Sequence, residues 1–479
     1  LDYYCDAGPV WAGDTEIALV KVEVAISVAG NLIASSDYKL VVGLGNTGLS
    51  IARHLYSKGE KFAVVDTRRE PPGLEQLQKE MPEVSVFAGD IPSSVIESAG
   101  DLFVSPGVAL DEPLVARAIA AGARVRGDID LFVAAAQAPV IGITGSNAKS
   151  TVTAMVGQMA LVAGIDAGVG GNLGTPALEL LSPQQQLYVV ELSSFQLERA
   201  ASLNLSVATV LNISADHLDR HGSMPKYHQA KHRIFRGCRK AVVNRDDRLT
   251  IPLVDDTVEI ISWRMGEPEL NGFGLLTIDD IEMLCHGFEP LLASSELGLA
   301  GRHNVANGLA ALAIGHAAGL PESAMVEVLK QFPGLPHRCQ LVASQNGVDY
   351  VNDSKATNIG ATQAAINGLG RGRNLLLIAG GEGKGANFQQ LKSAIEKHCK
   401  LLLLIGEAAG QIQSVVGEQV PTIQAESLQD AMTEAAVQAT AGDIVLLSPA
   451  CASFDMFSDY QARGDEFSRL AQQMTGARL

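Results

Sequence analysis

The chain has 479 residues, 47% of them hydrophobic, with 48 glycines and a formal net charge of −17. That length exceeds what one hydrophobic core supports, so three domains are expected, and the glycine content suits α/β units with many tight strand-to-helix turns. The acidic balance argues against a nucleic-acid or anionic-membrane partner; six scattered cysteines without a C-x-x-C pair, and no long apolar window or basic leader, point to a soluble protein of the reducing cytoplasm.

Residues 1–13 lack any period and 17–28 alternate only loosely, so residues 1–30 read as a non-native or weakly integrated extension. Organised sequence begins with a strand at 38–42, followed by a glycine turn, 43–48, that carries Asn46 and Thr47 into a helix. A second strand, 61–65, ends at Asp66-Thr67-Arg68, the βαβ spacing of a dinucleotide fold. A third strand, 102–104, runs into Ser105-Pro106-Gly107. Ligands of open α/β sheets sit at such strand ends, although a glycine turn serves packing alone just as readily.

A second unit opens near Gly127. Its strand at 140–144 breaks into Gly145-Ser146-Asn147-Ala148-Lys149-Ser150-Thr151, read as a phosphate loop. Backbone N–H groups at a helix start face an anion, the lysine neutralises outer phosphates and the hydroxyl can hold Mg²⁺. Ala148 stands where such loops usually place glycine, and is expected to keep φ negative. A glycine-rich run, 168–174, contains Asn172, and the strand at 187–190 ends on Glu191, where a P-loop enzyme places a metal ligand.

The strand at 207–211 stops shortly before Asp216-His217. Four of the ten histidines, His217, His221, His228 and His232, crowd one segment, but Gly222 and Pro225 interrupt any single zinc-binding helix. Only His217 is retained as a site residue. The stretch 247–295 reads as a strand-rich peripheral insertion without chemistry. Asn304 and Asn307, one turn apart, suit either an adenine edge or a helix cap.

A third α/β unit starts near Pro333. Polar signatures follow its apolar strands at 352–357, 380–384 and 448–455. Together they bring Lys355, Lys384 and several hydroxyls to one edge, where a small dicarboxylate could be clamped.

Five segments, 144–151, 191–198, 216–220, 334–338 and 352–357, resemble in sequence and order the signatures of the Mur ligases, and the likeness runs from about residue 31 to the C-terminus. Segments 193–197 and 448–453 are most similar to the D-glutamate-adding branch. Ala148, Gly385 and Asn387 depart from the family pattern. The resemblance implies a three-domain α/β architecture: a Rossmann-like UDP-binding domain (31–127), a central P-loop ATPase-like domain (128–332) and a Rossmann-like amino-acid-binding domain (333–479). It further implies a monomer that forms an amide from UDP-MurNAc-L-Ala and D-glutamate at the expense of ATP, through an acyl phosphate.

By the same resemblance, Lys149 holds the phosphates, Ser150 and Glu191 a first Mg²⁺, and His217 a second. Asn172 meets the reacting carboxylate, and Lys231 matches a lysine that the family carbamylates. Asn304, Asn307, Arg338 and Asp353 fall at the nucleotide. Lys355, Thr357, Lys384, Ser453 and Tyr460 fall at D-glutamate, and Asn46, Thr47, Asp66, Thr67, Arg68, Ser105, Pro106 and Gly107 at UDP. Alternatives are a related ligase with another acceptor, such as a folylpolyglutamate synthase, a nucleotide-binding homologue without turnover, and a nicotinamide dehydrogenase.

Overall fold

The computed structural model describes residues 38–299, 301–383, 385–416 and 419–476. The extension expected at 1–30, and Lys384, lie outside the described residues. Among those described, no helix is long and apolar enough to cross a membrane. The chain divides into two compact units, the first comprising the described residues up to Gln137 together with Gly174–Ser182 and Phe195–Leu203.

The first unit is built on a parallel five-stranded sheet in the order β3-β2-β1-β4-β5, with β1 Lys39–Val42, β2 Phe62–Asp66, β3 Ser85–Ala88, β4 Asp101–Val104 and β5 Arg124–Arg126. Strands β1, β2 and β4 are short apolar runs buried along nearly their whole length, as parallel strands covered by helices require. The turn after β1 demands glycine: Gly43 has φ +88°, and a side chain at Gly48 would collide with the Gly43 carbonyl. Strands β3 and β5 escape sequence reading because neither carries a distinct apolar run.

The second unit holds two sheets. The larger runs β14-β13-β12-β11-β10-β9-β6-β8-β7, from β6 Val140–Thr144, β7 Ala167–Gly171, β8 Leu187–Glu191, β9 Val207–Val210, β10 Lys240–Asn244, β11 Glu259–Trp263, β12 Phe273–Ile278, β13 Ile281–His286 and β14 Glu289–Ala293. Helix Lys149–Val162 buries Val152, Met155, Val156 and Met159 in a core shared with Leu309 and Leu312 of helix Arg302–Ala317 and with Met325 and Val328 of helix Glu322–Gln331.

The expectation of a peripheral insertion at 247–295 is corrected here. Strands β11 to β14 continue the central sheet, and Phe273, Leu275, Leu284 and Leu292 are buried in its main core. Each of these strands is buried over one part of its length and exposed over the rest, which makes the stretch read as more superficial than it is.

The smaller sheet has the order β15-β16-β20-β17-β18-β19, with β15 Gln340–Gln345, β16 Val348–Asn352, β17 Leu375–Gly380, β18 Cys399–Ile405, β19 Thr422–Gln424 and β20 Ile444–Leu447. Only β15 is antiparallel to its neighbour. Because β16, β20 and β17 are adjacent, the loops that leave their C-terminal ends share one edge.

Candidate active site

In the larger sheet β6 lies between β8 and β9, so the loops after these three strands also meet at a common edge. The loop after β6 wraps over the start of helix Lys149–Val162 and is pinned from both sides. Asn147 N donates to Asn212 Oδ1 at 2.8 Å, and Ser146 Oγ lies 3.0 Å from both the Ser214 carbonyl and the Tyr227 hydroxyl. Ala148 occupies the left-handed region at φ +65°, against the expectation of a negative φ. The loop therefore keeps the conformation glycine would favour and accepts the steric penalty of a Cβ, roughly 1–2 kcal/mol.

The Lys149 ammonium folds back onto the carbonyls of Gly145 and Ser146 at 2.9 and 3.0 Å. Desolvation lowers its pKa, and Arg338 adds to this while Glu191 and Asp216 oppose it. Ser150 Oγ donates to Glu191 Oε2 at 2.6 Å, and Asn172 Nδ2 donates to Glu191 Oε1 at 2.6 Å. The Glu191 carboxylate, only 2% exposed, thus ties together two other expected site residues, Ser150 and Asn172. Arg338 Nη2 donates to Ser150 Oγ at 2.6 Å, linking the third α/β unit to the phosphate loop. Thr151, in the first turn of the helix, is buried.

Lys231 is 1% exposed. Its Nζ donates to the Gly145 carbonyl at 2.8 Å, lies 3.4 Å from Thr144 Oγ1, and stands 4.8 Å from the centre of the Tyr227 ring. Burial, followed by the neighbouring Lys149, pushes its pKa well below the ordinary lysine value. His217 is exposed and in the left-handed region, φ +53°, with Nε2 3.6 Å from Asp216 Oδ2. The other three histidines of its segment are engaged differently. His221 meets Ser194 Oγ at 3.0 Å, while His232 stacks on His228 and bonds the Leu249 carbonyl.

At the smaller sheet, Asp353 accepts from Cys339 N at 3.1 Å and from Ser448 Oγ at 2.8 Å, and burial pushes its pKa up to about 7. The Lys355 ammonium lies over the Tyr460 ring, 3.9 Å from its centre, and burial brings its pKa down to about 8. Ser453 is buried on the loop after β20, and Thr357 is partly exposed on the loop after β16. Asn304 and Asn307 share one face of their helix, where Asn307 Nδ2 donates to Asn304 Oδ1 at 3.1 Å; the helix N-cap is Gly301, so neither asparagine caps it.

Sequence reading missed three supporting residues. Asn358 caps helix Ile359–Leu369 through Ala361 N and also donates to Asp216 Oδ2 at 3.1 Å and Asn147 Oδ1 at 3.3 Å. An asparagine before an apolar helical run was the available signal. Tyr227, whose hydroxyl holds Ser146, has none. Arg463, 1% exposed, donates to Ser354 Oγ and to the carbonyls of Ser354, Cys451 and Ala452, fixing two of the loops together. Nothing in a helical arginine advertises that.

In the first unit the residues expected at a uridine diphosphate lie at the C-terminal ends of β1, β2 and β4, where strand order switches between β1 and its two neighbours. Asn46 and Thr47 open helix Asn46–Ser57, Thr67 and Arg68 are exposed, and Pro106 and Gly107 form the turn after β4. Asp66 receives Leu44 N at 2.7 Å and Arg68 Nε at 2.9 Å, and Ser105 Oγ donates to the Gly43 carbonyl at 2.7 Å. Burial opposes ionisation of Asp66, yet the Arg68 guanidinium and these backbone donors hold its pKa below the ordinary value.

Residues 37–127 match the Mur ligase MurD-like N-terminal domain, 143–315 the Mur ligase middle domain, and 337–451 the Mur ligase glutamate ligase domain. The chain is 51% identical over 444 residues to the UDP-N-acetylmuramoylalanine–D-glutamate ligase of Pseudomonas syringae pv. tomato, covering 92% of this chain and 99% of that one. It is 50% identical over 446 residues to the ligase of the same name from Pseudomonas aeruginosa, covering 93% and 100%. Among solved structures, the UDP-N-acetylmuramate-alanine ligase of Thermotoga maritima superposes with a TM-score of 0.56 at 17% identity, covering 91% of this chain and 98% of that one; this likeness is one of fold.

Proposed function

Because the chain belongs to the Mur ligase family, we propose that it is the ATP-dependent ligase that joins D-glutamate to UDP-N-acetylmuramoyl-L-alanine in cytoplasmic peptidoglycan precursor synthesis, acting as a monomer. The observation that carries this reading is the hydrogen-bonded group of Ser150, Glu191 and Asn172 beside Lys149 on a phosphate loop. Three domains are assigned, at 31–127, 128–332 and 333–479, binding the UDP substrate, ATP and the amino acid.

The alanine carboxylate of the UDP substrate attacks the γ-phosphorus of ATP, and ADP departs with the bridging oxygen's electrons. The amine of D-glutamate then adds to the acyl phosphate carbonyl, phosphate leaves, and the nitrogen loses a proton as the amide forms. No enzyme nucleophile is needed, so the protein's work is positioning and charge stabilisation. The Lys149 ammonium trades the carbonyls of its own loop for phosphoryl oxygens, and the Asn172 amide orients the reacting carboxylate. Asn304, Asn307, Arg338 and Asp353 take the nucleotide, and Lys355, Thr357, Lys384, Ser453 and Tyr460 the D-glutamate. Asn46, Thr47, Asp66, Thr67, Arg68, Ser105, Pro106 and Gly107 take the uridine diphosphate.

Mg²⁺, when bound, neutralises charge on the transferred phosphoryl group. Ser150 and Glu191 suit a first such ion, since a hydroxyl and a carboxylate are hard oxygen donors already 2.6 Å apart. His217 is assigned to a second. Lys231 fits that site only after modification, because an ammonium repels a cation. Its burial and lowered pKa favour the neutral amine, whose nitrogen can add to CO₂ and lose a proton to give a carbamate oxygen donor. Lys231→Ala should therefore lose activity and regain part of it with added short-chain carboxylic acids; full activity without such rescue contradicts the carbamate.

Phosphate release tests the whole reading. It should require ATP, UDP-MurNAc-L-Ala and D-glutamate together, and release with L-alanine in place of D-glutamate would overturn the acceptor assignment. The left-handed Ala148 motivates one rival, a nucleotide-binding homologue without turnover, which predicts ATP binding and no phosphate from the complete mixture.

A further inference from the structure

Away from the phosphate loop, three side chains from three elements converge. His286 is the last residue of β13, His316 lies in the last turn of helix Arg302–Ala317, and Glu322 opens helix Glu322–Gln331. One donor atom from each lies within 4.8 Å of the other two, the one such grouping of three or more histidine, cysteine or acidic side chains among the described residues. His286 Nδ1 and Glu322 Oε1 are 3.5 Å apart. A tetrahedral zinc-like ion with bonds of about 2.0–2.1 Å separates its donors by roughly 3.3 Å, so this pair already stands at near ligand spacing.

The rings are also held in place. His286 stacks on Phe273 at 4.5 Å with 5° between planes, and His316 packs T-shaped against Phe273 at 5.6 Å and tilted by 60° against His286 at 4.5 Å. Glu322 is exposed and can swing the remaining distance. It also borders a surface hollow of about 490 Å³, shared with Leu291, Val326 and Lys330.

We propose that His286, His316 and Glu322 form a site for a divalent transition metal of the zinc type, with water completing the coordination. The ion ties β13 to the two helices. Two imidazoles and a single carboxylate favour Zn²⁺ or Co²⁺ over Mg²⁺, which prefers oxygen donors.

The test is a Co²⁺ titration of the full chain in millimolar Mg²⁺. The expected result is one equivalent bound with the visible absorption of a tetrahedral cobalt centre, displaced by Zn²⁺, and a metal-dependent rise in the unfolding midpoint. Glu322→Gln and His316→Gln should each weaken Co²⁺ binding about tenfold or more while leaving the metal-free unfolding midpoint near wild type. The double variant His228→Gln, His232→Gln should retain the signal. Absence of the visible bands, an affinity unchanged in Glu322→Gln, or loss of the signal only in the double variant would each overturn the proposal. Because Glu322 is exposed, its variant carries the test even if His316→Gln unfolds. The readout does not depend on ligase turnover.

Discussion

At the residue scale, two strained or buried groups make predictions of opposite kinds. Ala148 holds φ +65° immediately before Lys149, so Ala148→Gly relieves a steric clash rather than loosening a helix. The variant should be more stable by about 1 kcal/mol in urea unfolding; a loss of similar size, the usual cost of glycine in a helix, would place that residue in the right-handed region instead. Asp353 is buried with its pKa raised to about 7. Folding therefore binds a proton between about pH 4 and pH 7, and the group's contribution to stability falls as pH rises through that window. Asp353→Asn should flatten the pH dependence of the unfolding midpoint there, a difference on the order of 4 kcal/mol across the window. An unchanged slope would mean that the carboxyl is ionised throughout.

At the scale of elements, the strands that carry chemistry are the ones legible in sequence. β1, β6, β8, β9, β17 and β20 are short apolar runs that stop at glycine, acid, asparagine or serine, and the polar end and the apolar run identify each other. The phosphate loop, Glu191 and the loops at 352–357 and 448–455 were found for this reason. Supporting residues were not, because the function of Tyr227, Asn358 and Arg463 is to hold other loops and depends on contacts distant in sequence. The misplaced element is 247–295, whose strands are each buried over only part of their length. Leu284, fully buried on β13, decides the matter by experiment: Leu284→Ala should cost about 2–5 kcal/mol, whereas a peripheral insertion would lose well under 1 kcal/mol.

At the scale of the whole molecule, the two compact units separate the proposed recognition of uridine diphosphate from that of ATP. A chain with net charge −17 attracts neither nucleotide by its overall field, so each site must rely on local cations and backbone donors. Lys149→Ala should then lower turnover by about 100-fold or more while leaving affinity for UDP-MurNAc-L-Ala within about twofold, as measured by calorimetry; equal losses of both would contradict that separation. The central claim is that the phosphate loop and Glu191 organise the terminal phosphoryl group of ATP. A crystal structure with a non-hydrolysable ATP analogue and Mg²⁺ tests it most directly. The account predicts the γ-phosphate at Lys149 Nζ and the metal on Ser150 and Glu191, and a triphosphate lying elsewhere would contradict it.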